Sequence, residues 1–174
     1  PTWWPLATQI AEIKANAGSE WINIANVIID VEIPGINWSR VKELADALEH
    51  EGKQVDTLYT ARWFWTGHMG DSRAEQWLRF GLWVAQYDGF PSLDNVALFG
   101  PWGPDDLIGK QYAGSTDLAG HTVDLNEFDE SFAKEEDMND ADRTWIKGEI
   151  AALEERLRGG RRSLARYLAT GAIT

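Results

Sequence analysis

Val27-Ile28-Ile29-Asp30-Val31-Glu32 ends a nearly continuous apolar run that starts at Ile22, and it sets two carboxylates where that run leaves a packed interior. Along an extended strand, side chains at i and i+2 point to one face, about 6.6 Å apart at a rise of ~3.3 Å per residue, so Asp30 and Glu32 face the same way. The run over Ile22 to Val31 fits a strand buried on both faces, as in a parallel sheet. Acids at the far end of such a strand mark the carboxyl edge, where parallel α/β folds build their chemistry. A second group of the same kind follows late in the chain, where Lys110-Gln111-Tyr112 leads to Gly120-His121-Thr122-Val123-Asp124-Leu125-Asn126.

Outward from the first group, Leu6, Ile10, Ile13 and Ala17 recur at helical spacing and Gly18 supplies a stop, which predicts an amphipathic helix from Pro5 to about Gly18. Pro34-Gly35 breaks the strand after Glu32, and Asn37 or Ser39 caps a helix with the stripe Val41, Leu44, Ala45 and Leu48. A strand is expected at Val55 to Thr60, followed by an aromatic loop through Trp63-Phe64-Trp65 and a short helix at Ala74 to Phe80. Further strands are expected at Leu82 to Tyr87, Val96 to Phe99, Leu107 to Tyr112 and Thr122 to Leu125. Helices alternate with strands early and drop out late, which predicts an α/β barrel-like sheet with an irregular closing half.

After Phe132 the character changes. Lys134 to Asp142 is strongly acidic, and Ile146, Ile150, Leu153, Leu157, Leu164 and Leu168 then form a narrow coiled-coil-like seam interrupted by Gly159-Gly160. Residues 133–174 are accordingly expected to be an acidic linker and a long amphipathic helix for docking or self-association.

Composition narrows the function. A formal charge of −12, from 16 Lys and Arg against 28 Asp and Glu, repels a phosphate backbone and argues against nucleic acid. The absence of cysteine removes disulfides and thiolate chemistry. No stretch approaches the roughly 18 apolar residues of a membrane span, and Pro1-Thr2-Trp3-Trp4-Pro5 lacks the pattern of a secretory signal, so the chain reads as soluble. Starting on proline, it reads as trimmed or as a piece of something longer. His50, His68 and His121 lie far apart without metal-ligand spacing, and Asp129 to Asp142 lacks the alternation of a calcium loop, so neither a metal nor a cofactor is predicted. The ten tryptophans suit a large core or a carbohydrate platform, with Trp63 and Trp65 the best groove candidates.

Taken in order, Ile29-Asp30-Val31-Glu32, Leu58-Tyr59-Thr60 with Trp63-Phe64-Trp65, Leu82-Trp83-Val84-Ala85-Gln86-Tyr87, Gln111-Tyr112 and Gly120 to Asn126 resemble glycoside hydrolase family 25, the lysozymes or N-acetylmuramidases of bacteria and their phages. The resemblance covers about residues 24 to 132 and enters the family pattern in its middle, without the first strand and its Asp. It implies residues 1–132 as an incomplete (β/α) barrel of TIM type, later strands only, ahead of the C-terminal helix. It further implies cleavage of the β-1,4 bond between N-acetylmuramic acid and N-acetylglucosamine, with peptidoglycan as partner. By motif position Glu32 looks like the general acid, Asp30 its companion and Asp124 a further active-site acid. Tyr59, Trp63, Trp65, Tyr87 and Tyr112 fall around the sugar. Lys110 stands where the family commonly has tryptophan.

Two functions follow as expectations. The first is a phage-encoded or secreted glycosidase acting at the bacterial wall: one carboxylic acid protonates the departing oxygen while a carboxylate meets the oxocarbenium-like charge, and the proton is assigned to Glu32. The second is a catalytically inactive half-barrel that binds the wall or serves assembly in a phage particle. Either way an open sheet needs cover, so a second chain or a second copy is expected to complete the barrel, with the C-terminal helix as one route.

Overall fold

The computed structural model describes residues 4–118, 120–129 and 132. The linker and helix expected at 133–174 lie outside them.

Helix α1, Leu6–Ala17, follows the expected periodicity and buries Ile10. Gly18 ends it with φ 57°, a left-handed conformation that side chains rarely tolerate. The chain then makes a tight 3₁₀ segment, Gly18–Asn23, before strand β1, Asn26–Asp30. The strand expected from Ile22 is thus shorter, and Ile22 itself is 83% exposed. Lys53 accounts for the difference: its Nζ donates to Trp21 O at 2.6 Å and Ile24 O at 2.7 Å and lies 4.3 Å from the Trp21 ring centroid. Holding both carbonyls turns the backbone away from the sheet until Asn26.

Helix α2, Trp38–His50, begins at Asn37, whose Oδ1 accepts from Arg40 N at 3.2 Å. Its stripe Val41, Ala45 and Leu48 is buried. Strand β2, Gln54–Ala61, runs directly into α3, Arg62–His68, so the aromatic segment expected as a loop is helical. A 3₁₀ turn at Glu75–Arg79 precedes strand β3, Gly81–Ala85. The strand expected at Val96 to Phe99 is irregular backbone. Strand β4, Leu107–Leu118, and strand β5, His121–Phe128, form a hairpin longer than the alternation suggested.

The strands lie in the order β1-β2-β3-β4-β5, the first four parallel and β5 antiparallel to β4. This mixed sheet with its helices is a half-barrel: among the described residues it does not close, and β1 and β5 are its edges. Register makes the two faces distinct. The row Ile29, Leu58, Leu82, Leu107 is buried in the core with α2 and α3. The neighbouring row Asp30, Tyr59, Trp83, Gly109, Phe128 crosses all five strands on the other face. β1 is therefore not buried on both sides, since Ile28 and Asp30 look into the open concavity.

Behind the sheet the core is aromatic. Trp65 packs against Trp77 at 5.0 Å and Trp102 at 4.6 Å between ring centroids. Two of the core's buried indole donors are matched: Trp65 Nε1 donates to Ser72 O at 3.1 Å and Trp102 Nε1 to Phe80 O at 2.9 Å.

Candidate functional site

On the open face, Ile28, Asp30, Glu32, Tyr59, Trp83, Gln111, Asp124 and Asn126 line a cavity of about 420 Å³. Two hydrogen bonds to β2 fix the end of β1 that carries the acids: Val31 N donates to Tyr59 O at 2.8 Å, and the buried Thr60 Oγ1 donates to Val31 O at 2.8 Å. With Val31 clamped and fully buried, its neighbours Asp30 and Glu32 are both left to the cavity side.

The electrostatics separate these acids from ordinary surface carboxylates. Burial raises the Asp30 carboxyl above its usual range. Burial also raises Glu32, and the charge of Asp30 raises it further. Tyr59, next to Asp30 in the row, has its hydroxyl pushed far up by burial first and by its hydrogen bond with Tyr87 second, with smaller contributions from Tyr87, Glu32 and Asp30. It stays a neutral hydrogen-bonding group at any working pH.

Tyr59 Oη donates to Gln111 Oε1, which also accepts from Tyr87 Oη at 3.0 Å; the two hydroxyls are 3.3 Å apart. Tyr59 meets Trp83 edge-on at 5.0 Å between centroids, and Trp83 meets Phe128 at 5.0 Å. Gly109 permits that last contact, because a Cβ there would sit 2.4 Å from Phe128 Cδ1. On β5, Asp124 Oδ1 accepts from Ser115 N at 2.9 Å. A Cβ on Gly114 would lie 3.6 Å from both Asp124 Oδ1 and the Tyr87 ring, so Tyr87 and Asp124 flank the same piece of backbone. Two polar atoms in the cavity wall, Trp83 Nε1 and Asn126 Oδ1, are buried without a partner.

The structure thus brings together Asp30, Glu32, Asp124 and Tyr59, and joins Tyr87 to them through Gln111. Three expected sugar contacts are elsewhere. Trp65 is 0% exposed in the aromatic core, because residues 62–68 are helical and positions 63 and 65 then point to different sides. Trp63 is 63% exposed on α3, edge-on to Phe64 and His68, outside the cavity. Tyr112 adjoins the inward Gln111 on β4 and does not line the cavity. Gln111, Trp83, Asn126 and Ile28 also line the cavity; they lie within the quoted motifs but not among the candidate site residues. The available signal was strand parity with Asp30 and Asp124.

No metal-binding group of three or more His, Asp or Glu side chains occurs among the described residues. None of the described helices is long and apolar enough to cross a membrane.

No family model matches the chain. Counting factor 50 of Dictyostelium discoideum is 28% identical over 131 residues, 71% of this chain and 42% of that protein. Probable GH family 25 lysozyme 2 of the same organism is 30% identical over 119 residues, 65% of this chain and 50% of that protein. The chain therefore spans about half the length of these curated relatives. Among solved structures, a family GH25 lysozyme from Aspergillus fumigatus superposes with a TM-score of 0.50 at 16% identity, over 72% of this chain and 62% of that one. These matches agree with the resemblance read from the ordered motifs: the chain is GH25-like over part of a domain.

Proposed function

We propose that this chain, GH25-like over part of a domain, is a lysozyme-like glycosidase that hydrolyses the β-1,4 bond between N-acetylmuramic acid and N-acetylglucosamine. It acts at the bacterial cell wall as a phage-encoded or secreted protein, and the peptidoglycan glycan strand is its substrate. The observation that carries this reading is the convergence of Asp30, Glu32 and Asp124 on one open cavity, with Glu32 raised by burial and by its neighbour's charge. A carboxyl that holds its proton more firmly than a free one is suited to donate it to the departing glycosidic oxygen. Asp30 faces the positive charge that then develops at the anomeric carbon, either directly or by orienting the 2-acetamido group. Tyr59, neutral and with its proton given to Gln111, accepts at fixed geometry beside both acids. Asp124, anchored by Ser115 N, offers its second oxygen to the sugar or to water.

The second reading is a catalytically inactive half-barrel that binds the wall or serves assembly in a phage particle, its sheet completed by a second chain or a second copy. The similarity to Counting factor 50, together with the open edge at β1, favours it. One experiment separates the two: turbidity of susceptible cell walls with the full chain and with Glu32→Gln, alongside sedimentation of protein with the walls. Lysis by the parent that falls by about 10²-fold or more in Glu32→Gln supports the glycosidase. Sedimentation without lysis supports the binding reading, and neither lysis nor sedimentation removes both.

A further inference from the structure

The segment after β3 is built with more care than a surface connection requires. Lys110 is 0% exposed, and its Nζ faces four acceptors of that segment: Asp88 Oδ2 at 2.8 Å, Asn95 Oδ1 at 2.7 Å, Phe90 O at 3.0 Å and Ser92 O at 3.3 Å. Asp88 Oδ1 in turn accepts from Phe90 N at 3.0 Å. Gln86 extends the network, donating to Asp88 Oδ2 at 2.7 Å and to Asn95 O at 3.1 Å while accepting from Ala97 N at 2.9 Å. Both backbone polar groups of Phe90 are therefore pinned, yet its ring is 64% exposed. A large apolar ring presented to water from a backbone already fixed is suited to a platform, since the ordering of the loop that normally opposes binding has been met in the free protein.

Its position gives it a ligand. β1, β2 and β3 are parallel, so Phe90, just past the end of β3, lies on the same edge of the sheet as Asp30 and Glu32 at the end of β1. Tyr87 connects the two regions: its hydroxyl binds Gln111 inside the cavity, and its ring is exposed three residues before Phe90. The alternating neighbours Lys110 and Gln111 of β4 thus grip the turn from two sides, one by its backbone and one through the Tyr87 hydroxyl.

We propose that the turn from Tyr87 to Phe90 is a preorganised ledge on which Phe90 stacks against a pyranose face of a β-1,4-linked N-acetylated glycan, beyond the sugars held beside the carboxylates, with Lys110 as its positioning residue. This rests on the glycosidase reading for its substrate class but concerns binding and not bond cleavage. Short ligands fill the cavity alone, and longer ones reach the ledge.

The test is calorimetric titration of the full-length Glu32→Gln chain with N-acetylglucosamine dimer and hexamer, repeated with Phe90→Ala, Phe90→Trp and Lys110→Met added. Phe90→Ala weakens the hexamer about three- to tenfold, the range of one aromatic contact, and leaves the dimer unchanged. Phe90→Trp retains hexamer binding, and Lys110→Met reproduces the hexamer loss with an unchanged far-ultraviolet dichroism spectrum. Hexamer affinity indifferent to Phe90→Ala, equal losses for both oligomers, or no binding of either by the parent would overturn the ledge. Length-dependent binding that responds to Phe90 in a chain that lyses no walls leaves the ledge standing and removes only catalysis.

Discussion

Replacing Lys110 by methionine keeps an unbranched stem and removes the ammonium, and the structure sets what that costs. Ser92 O and Asn95 Oδ1 lose their donor, while Phe90 O keeps the one it has from Ser92 N. At about 1 kcal/mol for each of these two neutral acceptors, the loss is about 2 kcal/mol. The Asp88 carboxylate is partly exposed, so its share is reduced by solvent screening, but it is the share that depends on pH. For a folded unit of this size, about 2 kcal/mol lowers Tm by about 7 °C. The pH dependence identifies the cause. Lys110 chiefly, then Gln86 and Phe90 N, hold Asp88 down to about 2 from an ordinary 3.8. A depressed carboxylate stabilises the fold fully above its unfolded value and ceases to do so as pH falls through its folded value. The Tm gap between parent and Lys110→Met is therefore widest at neutral pH and narrows between about pH 4 and pH 2. Calorimetric melting across that range checks it. A variant that melts with the parent at pH 7, or a gap that stays constant to pH 2, refutes the assignment of Lys110 as the anchor of this segment.

The two cavity acids act in the opposite sense. Asp30 and Glu32 are raised in the fold, so the native state holds their protons more tightly than the unfolded chain does, and stability falls as pH rises from their ordinary values through the raised ones. Asp30→Asn and Glu32→Gln therefore raise Tm at pH 7 and lose that advantage near pH 4, as melting at the two pH values shows; a lowered Tm at pH 7 contradicts it. Gly109→Ala places a methyl 2.4 Å from Phe128 Cδ1 and 3.2 Å from Glu127 O. It destabilises by about 1–3 kcal/mol in urea unfolding and shifts the Trp83 fluorescence environment, because Phe128 has to leave its place over the strand.

The elements that periodicity alone decides were legible in the chain. α1, α2 and β2 lie where their apolar spacing puts them, and the pairing of Asp30 with Glu32 across Val31 follows from strand parity. What escaped was set by tertiary contacts. An apolar run cannot reveal that Lys53 will take two carbonyls and hold Ile22 outside the sheet. Nor does an aromatic cluster announce whether it continues a strand or turns into a helix; α3 begins at Arg62, and that one choice sent Trp65 to the core and Trp63 to the surface. On β4 it is Gln111 and not Tyr112 that lines the cavity, because one residue of parity decides which side chain enters it. Lys110 was read as a departure from the family's tryptophan, while its role as the anchor of a turn depends on four oxygens from residues 15 to 22 positions away.

Among the described residues β1 is an outer strand, and its final residue is Asp30. Unpaired strand margins recruit one another, and natural proteins deter this with charge pointing inward at the margin. The same carboxylates assigned to chemistry thus stand guard against stacking of copies. Neutralising them to obtain an inert control yields a molecule that is individually sturdier and collectively less sociable with solvent, so heat resistance and colloidal behaviour diverge in one substitution.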